Sequence, residues 1–88
     1  MYKLVFTETA HRSIKKAATR DIRKYEIIKA KIGQILQNPY QFKPLRAPLH
    51  GSRRVHIDKS FVLVYSISES QKMVTIENYD HHDNIYKK

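Results

Sequence analysis

Hydrophobic positions in this chain recur first every two residues, then every three or four, then every two again. Tyr2, Leu4 and Phe6 alternate with Lys3 and Val5, which predicts a short first strand. Thr7 stands where a helix N-cap belongs, and Ala10, Ile14, Ala17 and Ala18 form a narrow, small-sided face suited to close packing. Around Ala18 to Asp21 that pattern breaks. Asp21 is a second N-cap, because Ile22, Tyr25, Ile28, Ile32, Ile35 and Leu36 fall within about 140° of arc at helical spacing. This second helix is expected to run to about Gln37. Asn38-Pro39 ends it, since a residue before proline is pushed out of the helical region. With Pro39, Pro44 and Pro48, residues 38–49 read as a loop.

The period of two returns in His50 to Ser68, HGSRRVHIDKSFVLVYSIS, read as two adjoining strands entered through Gly51. Val55 and Ile57 alternate with Arg54, His56 and Asp58, so Arg54 and His56 share the face turned away from the buried pair. Phe61, Leu63, Tyr65 and Ile67 alternate with Val62, Val64 and Ser66, a strand apolar on both sides and so central and twice covered. Glu69 to Gln71 reads as a polar turn, and Met73 to Tyr79 as a last strand closing a meander. The fold class is α+β, in the order β-α-α-β-β-β, with an antiparallel sheet packed on a two-helix hairpin and residues 1–88 forming one domain. Val55, Ile57, Val74 and Ile76 are expected to face the helices, with Arg54, His56, Glu77 and Tyr79 on the open side. A tail folded back over that side would add His81, His82 and Tyr86.

Composition narrows the class. Eighty-eight residues bury roughly 60–65% of their unfolded surface, enough for two packed layers with little stability to spare. Cysteine is absent, which removes disulfides and thiolate metal sites and is compatible with a reducing cytoplasm. No apolar run reaches membrane-spanning length and no signal-peptide pattern opens the chain, so a soluble, unexported protein is expected, with no membrane partner. Net charge is +9, from 17 Lys and Arg against 8 Asp and Glu. That balance favours a polyanionic partner, nucleic acid first; an anionic membrane surface or an acidic protein would satisfy the same electrostatics, but no segment has the wide apolar face of an interfacial helix. Between Arg12 and Lys31 the helices carry eight Lys or Arg against Asp21 and Glu26, which is either a solvated outer face or a surface for an RNA backbone or an acidic partner.

The strand and tail region concentrates His50, His56, His81 and His82 with Lys43, Arg46, Arg53 and Arg54. Imidazole titrates near neutrality, so two histidines can share general base and general acid roles without a metal. Guanidinium and ammonium groups nearby would hold a phosphate and stabilise charge developing on it. The matching reaction is attack of a ribose 2′-hydroxyl on its own 3′-phosphate, which cleaves RNA and cannot act on DNA. His81-His82 offers no recognisable metal-ligand spacing, and adjacent side chains are expected to diverge, so no metal and no other cofactor is assigned. There is no Gly-rich phosphate loop, no GxSxG and no acidic pair suited to two-metal catalysis.

The segment LRAPLHGSRRVHIDKSFVLVYSI, followed after a short gap by HHDNIY, resembles the RelE/ParE superfamily of toxin–antitoxin ribonucleases, and most closely its YafQ-like branch. Gly51, Arg53, His56-Ile57, Leu63 to Tyr65 and the spacing from His82 to Tyr86 carry the likeness. The resemblance implies a microbial RNase-type fold, a toxin that enters the ribosomal A site and cuts mRNA there, and silencing by an antitoxin acidic in its wrapping segment. It places His56 and His82 at catalytic positions and Tyr86 where the branch has a functional aromatic. Ser60-Phe61 replaces an Asp-Trp pair, Lys43 replaces a further histidine, and Val62 stands where RelE itself has a strand arginine. The expected site is therefore His56, His82, Arg54 and Tyr86 for catalysis, with Lys43, Arg46, His50, Arg53, Phe61 and His81 binding substrate. Two other readings stay open at this point: a ParE-like module that poisons gyrase by contact, and a non-catalytic RNA binder.

Overall fold

The computed structural model describes residues 1–45 and 51–86. The chain runs β1 (Lys3–Phe6), α1 (Glu8–Arg20), α2 (Ile22–Gln37), a 3₁₀ turn (Pro39–Gln41), β2 (Lys43–Pro44), β3 (Ser52–Ile57), β4 (Phe61–Ser68), β5 (Met73–His81) and α3 (His82–Ile85). It is an α+β fold with the five strands in the order β1-β5-β4-β3-β2. Strands β2 to β5 pair antiparallel, as the meander requires. β1 pairs with β5 in parallel, Leu4 opposite Val74 and Phe6 opposite Ile76, which corrects the expectation of a purely antiparallel sheet. The helical hairpin is the reason: it carries the chain off the sheet and across one face, and such a long connection allows a parallel neighbour.

Both helix starts are capped as the sequence predicts. The Thr7 hydroxyl accepts from Ala10 N–H at 3.1 Å, and the Asp21 carboxylate accepts from Lys24 N–H at 3.2 Å. α1 buries Ala10 and Ile14, while α2 buries Ile28, Ile32 and Ile35. Ile22 departs from the expected stripe: at the junction between the helices it is 67% exposed. Of residues 38–49, expected to be loop throughout, the described ones, 38–45, contain order. Asn38 caps the 3₁₀ turn, Pro39 is buried, and Lys43–Pro44 pairs at the sheet edge opposite Arg54 and Arg53. The buried Tyr65 hydroxyl donates to Pro39 O at 2.5 Å, tying that turn to the central strand. Gly51 enters β3 with φ +85°, a left-handed conformation that a side chain would strain.

The core lies between the hairpin and one face of the sheet, where Val55, Ile57, Leu63, Tyr65, Val74, Ile76 and Tyr79 meet the helix isoleucines. β4 is covered on both sides: Val62 and Val64, facing away from the helices, are buried too. Between Val64 and Tyr65 the register against β5 slips, because Val64 pairs with Asn78 and Tyr65 with Ile76, leaving Glu77 without a partner on β4. This bulge reverses the parity of everything after Glu77. Tyr79, expected on the open side, is therefore buried under the helices, and the alternation puts Asn78 and Asp80 on the open side instead.

The bulge is held from two sides. Thr7 donates its hydroxyl to Glu77 O at 2.8 Å and its N–H to Ile76 O at 3.0 Å, and the Ser52 hydroxyl donates to the Glu77 carboxylate at 2.6 Å. At the far end of the sheet, Glu69 gathers the Tyr2 hydroxyl at 2.8 Å, the Tyr40 hydroxyl at 2.6 Å and the Lys72 ammonium. Those partners, Lys72 foremost, hold the Glu69 carboxyl down at about 2.

Two outcomes test this frame. Thr7→Val removes a helix cap and the bulge carbonyl's donor together, and should lower unfolding free energy by about 2 kcal/mol in urea, whereas Thr7→Ser should retain most of it. Because Glu69 titrates lower when folded, its contribution is complete above the ordinary carboxylate range and disappears as pH falls through its folded value. Wild type should thus lose more of its urea midpoint than Glu69→Gln between about pH 4.5 and pH 2.

Candidate active site

β3 sets the site because its period of two aims Arg54 and His56 at the side of the sheet without helices. Across the strands the same surface carries Lys43 opposite Arg54 on β2, and Val64 with Asn78, then Val62 with Asp80, on β4 and β5. The buried valines make an apolar floor beneath a cationic row. Arg54 Nη1 lies 3.0 Å from His56 Nδ1 and 3.3 Å from Nε2. A guanidinium only donates, so whichever imidazole nitrogen accepts from it carries no proton in that contact. His56 titrates below its ordinary value, first through partial burial, then through the charges of Arg54 and His82.

The backbone locates the tail. β5 continues to His81, two residues beyond its expected end, and α3 makes one helical turn. The His82 N–H donates to Ser60 O at 2.8 Å, pinning the turn to the β3–β4 hairpin beside His56. Tyr86 follows one turn later, 43% exposed, its N–H donating to His82 O at 3.0 Å. The tail thus folds against the sheet instead of leaving it. Of the expected residues, Lys43 and Arg54 sit opposite one another on β2 and β3, His56 lies beside Arg54, and His82 and Tyr86 share the turn that follows β5.

Others lie elsewhere. Arg53 points to the opposite face by the same alternation, where Nη1 donates to Phe42 O at 2.7 Å and Tyr40 O at 3.2 Å and the guanidinium covers the Tyr40 ring. Its guanidinium thus closes the loop before β2, on the side of the sheet opposite to Arg54 and His56. Phe61 also belongs to the helix side, stacked on Tyr79 with centroids 5.3 Å apart and capped by Lys24 at 4.1 Å. His81 pairs with Phe61 across the strands and meets its ring edge at 5.7 Å, which removes it from the open row as well. Arg46 and His50 fall outside the described residues.

His81 and His82 do not diverge as expected of neighbours in one strand. The strand ends between them, and their rings stack at 4.6 Å. Asp83 completes a local knot, donating its N–H to His81 Nδ1 at 3.2 Å and placing its carboxylate 3.1 Å from His82 Nδ1. These three are the one group of metal-capable donors among the described residues, their ligand atoms within 4.8 Å of one another. The residues that sequence reasoning missed are Asn78 and Asp80, and the signal was present. Inward apolar positions at 74, 76 and 79 change spacing from two to three, which is how a bulge reads in sequence.

No protein-family model matches the chain. It is 46% identical over 88 residues, covering all of this chain and 94% of the relative, to a protein of Methanocaldococcus jannaschii named "Putative toxin RelE4". It is 48% identical over 86 residues, 98% of this chain and 100% of the relative, to an uncharacterized protein of Methanosarcina mazei. Among solved structures, the YoeB/ParE toxin from Agrobacterium tumefaciens superposes with a TM-score of 0.84 at 23% identity, covering 91% of this chain and 98% of that one. YafQ from E. coli gives 0.75 at 18% identity, covering 98% and 99%. The RelBE2 toxin–antitoxin complex from Mycobacterium tuberculosis gives 0.73 at 28% identity, covering 91% and 96%. Fold likeness spans YoeB, YafQ and RelE toxins alike and does not single out the YafQ branch, but identity along the full chain, with the helical hairpin and meander in place, settles the larger group: this chain belongs to the RelE/ParE superfamily of toxins.

Proposed function

We propose that the chain is the toxin of a toxin–antitoxin pair and an endoribonuclease that cuts mRNA in the ribosomal A site. What supports this reading is the Arg54 guanidinium 3.0 Å from His56 Nδ1, together with the turn begun by His82, whose N–H is tied to Ser60 O in the hairpin that follows His56. His56, whose titration is lowered first by burial and then by Arg54 and His82, takes the proton of a ribose 2′-hydroxyl. The 2′-oxygen bonds to the adjacent phosphorus, the bond to the 5′-oxygen breaks, and His82 gives that oxygen a proton. The products are a 2′,3′-cyclic phosphate and a 5′-hydroxyl. Arg54 and Lys43 hold the phosphate and offset its growing charge, while Tyr86 supports the neighbouring nucleotide from the turn beyond His82.

The open face offers a shallow floor and an exposed His56, with little to force RNA into an in-line geometry. Orientation of that kind is worth several kcal/mol of barrier, and mRNA fixed on a ribosome supplies it. The +9 charge suits both rRNA and a silencing partner. RelBE2 is a complex with an antitoxin, and the same kind of partner, acidic where it wraps the toxin, is proposed here.

Induced His56→Ala or His82→Ala should lose about 10²- to 10⁴-fold in mRNA cleavage, read by primer extension, together with growth arrest. Arg54→Ala should lose about 10²- to 10³-fold. Toxicity unchanged in both histidine variants would remove them from the mechanism, and gyrase inhibition without RNA products would replace the reading altogether. Since Arg54 and His82 add to the lowering that burial begins at His56, Arg54→Gln or His82→Gln should raise its titration midpoint in a ring-nitrogen NMR experiment. The acid limb of cleavage in Arg54→Gln should move to higher pH accordingly.

A further inference from the structure

The turn after β5 carries a donor set that the core does not need and the proposed cleavage uses only in part. His81 closes β5 and His82 opens α3, so two neighbours in sequence escape the alternation of a strand. Their rings lie side by side, 26° apart in plane with centroids at 4.6 Å. Both face one carboxylate: His82 Nδ1 is 3.1 Å from Asp83 Oδ1, and His81 Nδ1 is 3.6 Å from Asp83 Oδ2. Asp83 has no Lys or Arg partner among the described residues, although Glu8, Asp21, Glu26 and Glu69 each have one. In a chain of net charge +9 its balance is left to two imidazoles.

Those separations suit a metal ion. Ligands bonded to a tetrahedral zinc ion stand roughly 3.3 Å from one another. The two nitrogen-to-oxygen distances lie on either side of that value, and one ligand atom from each of the three residues falls within 4.8 Å of the others. We infer that His81, His82 and Asp83 form a site for a zinc-like divalent cation, bound through both Nδ1 atoms and one carboxylate oxygen. Each imidazole gives its Nδ1 lone pair and keeps its proton on Nε2, and the Asp83 N–H that donates to His81 Nδ1 turns to water. All three side chains reach solvent, so the ion can enter directly and retain water as a fourth ligand. Two nitrogens with a single carboxylate favour zinc over magnesium or calcium, which take oxygen ligands. An imidazole with Nδ1 on a metal and Nε2 protonated has no lone pair for a further proton. His82 then cannot serve as the acid of cleavage, so the cation inhibits the nuclease; this consequence rests on the nuclease reading, whereas the site does not.

The test is a titration of the untagged full chain with zinc chloride, beside magnesium chloride, read by ring-nitrogen NMR and calorimetry. One equivalent of zinc should shift the His81 and His82 nitrogens and leave those of His11, exposed on α1, unmoved. His81→Ala and Asp83→Asn should each weaken zinc binding by about tenfold or more, while His11→Ala binds as wild type does. Wild-type zinc affinity in either of the first two variants, equal weakening in His11→Ala, or the same shifts with magnesium would each overturn the site. In a parallel cleavage assay, one equivalent of zinc should slow wild type about tenfold and Asp83→Asn much less. Zinc bound with cleavage undiminished would overturn the inhibition. A wild type that cuts no RNA even without zinc would refute the nuclease reading, and the titration would still decide the site.

Discussion

The Thr7 hydroxyl is the point at which the two layers are locked into one register. It accepts from the first turn of α1 and donates to the carbonyl of Glu77, the residue that β5 inserts against β4. One side chain thus caps a helix and satisfies the peptide group that a bulge leaves unpaired. Without the extra residue, Tyr79 would face solvent and Asn78 would stand beneath the helices. With it, Tyr79 joins the core beside Phe61, and the strand reaches His81 with its parity reversed.

That reversal separates chemistry from packing at the end of the sheet. His81 is turned toward Phe61, while the chain leaves the strand at His82 and returns beside His56 through one hydrogen bond to Ser60. The two imidazoles of the candidate site therefore come one from a strand face and one from a helical turn, and His81 stacks on His82 where the strand ends. Charge is sorted in the same way: Arg54 stays beside His56, whereas Arg53, its neighbour in sequence, is spent on two loop carbonyls. Two adjacent arginines of a strand cannot serve one face.

The core under the helices and the row on the open side are consequences of the same twice-covered strand. β4 presents Val62 and Val64 to one surface and Phe61 and Leu63 to the other. Each surface acquires its own cations, Lys43 and Arg54 on one side and Lys16 and Arg20 on the other.

Much of this was legible in the residues alone. Thr7 and Asp21 as caps, the isoleucine stripe of α2, the end at Asn38-Pro39 and the alternation of β3 and β4 are local features set by neighbours in sequence. The pairing of Arg54 with His56 follows from the same period. What residue pattern could not decide is anything set by partners distant along the chain: the parallel seat of β1, the order hidden in residues 39–44, the bulge at Glu77, and hence the sides taken by Tyr79, Phe61 and His81. A strand's periodicity says which residues share a face, but only the register against its neighbour, chosen by Thr7, Ser52 and the packing of Tyr79, says which face that is.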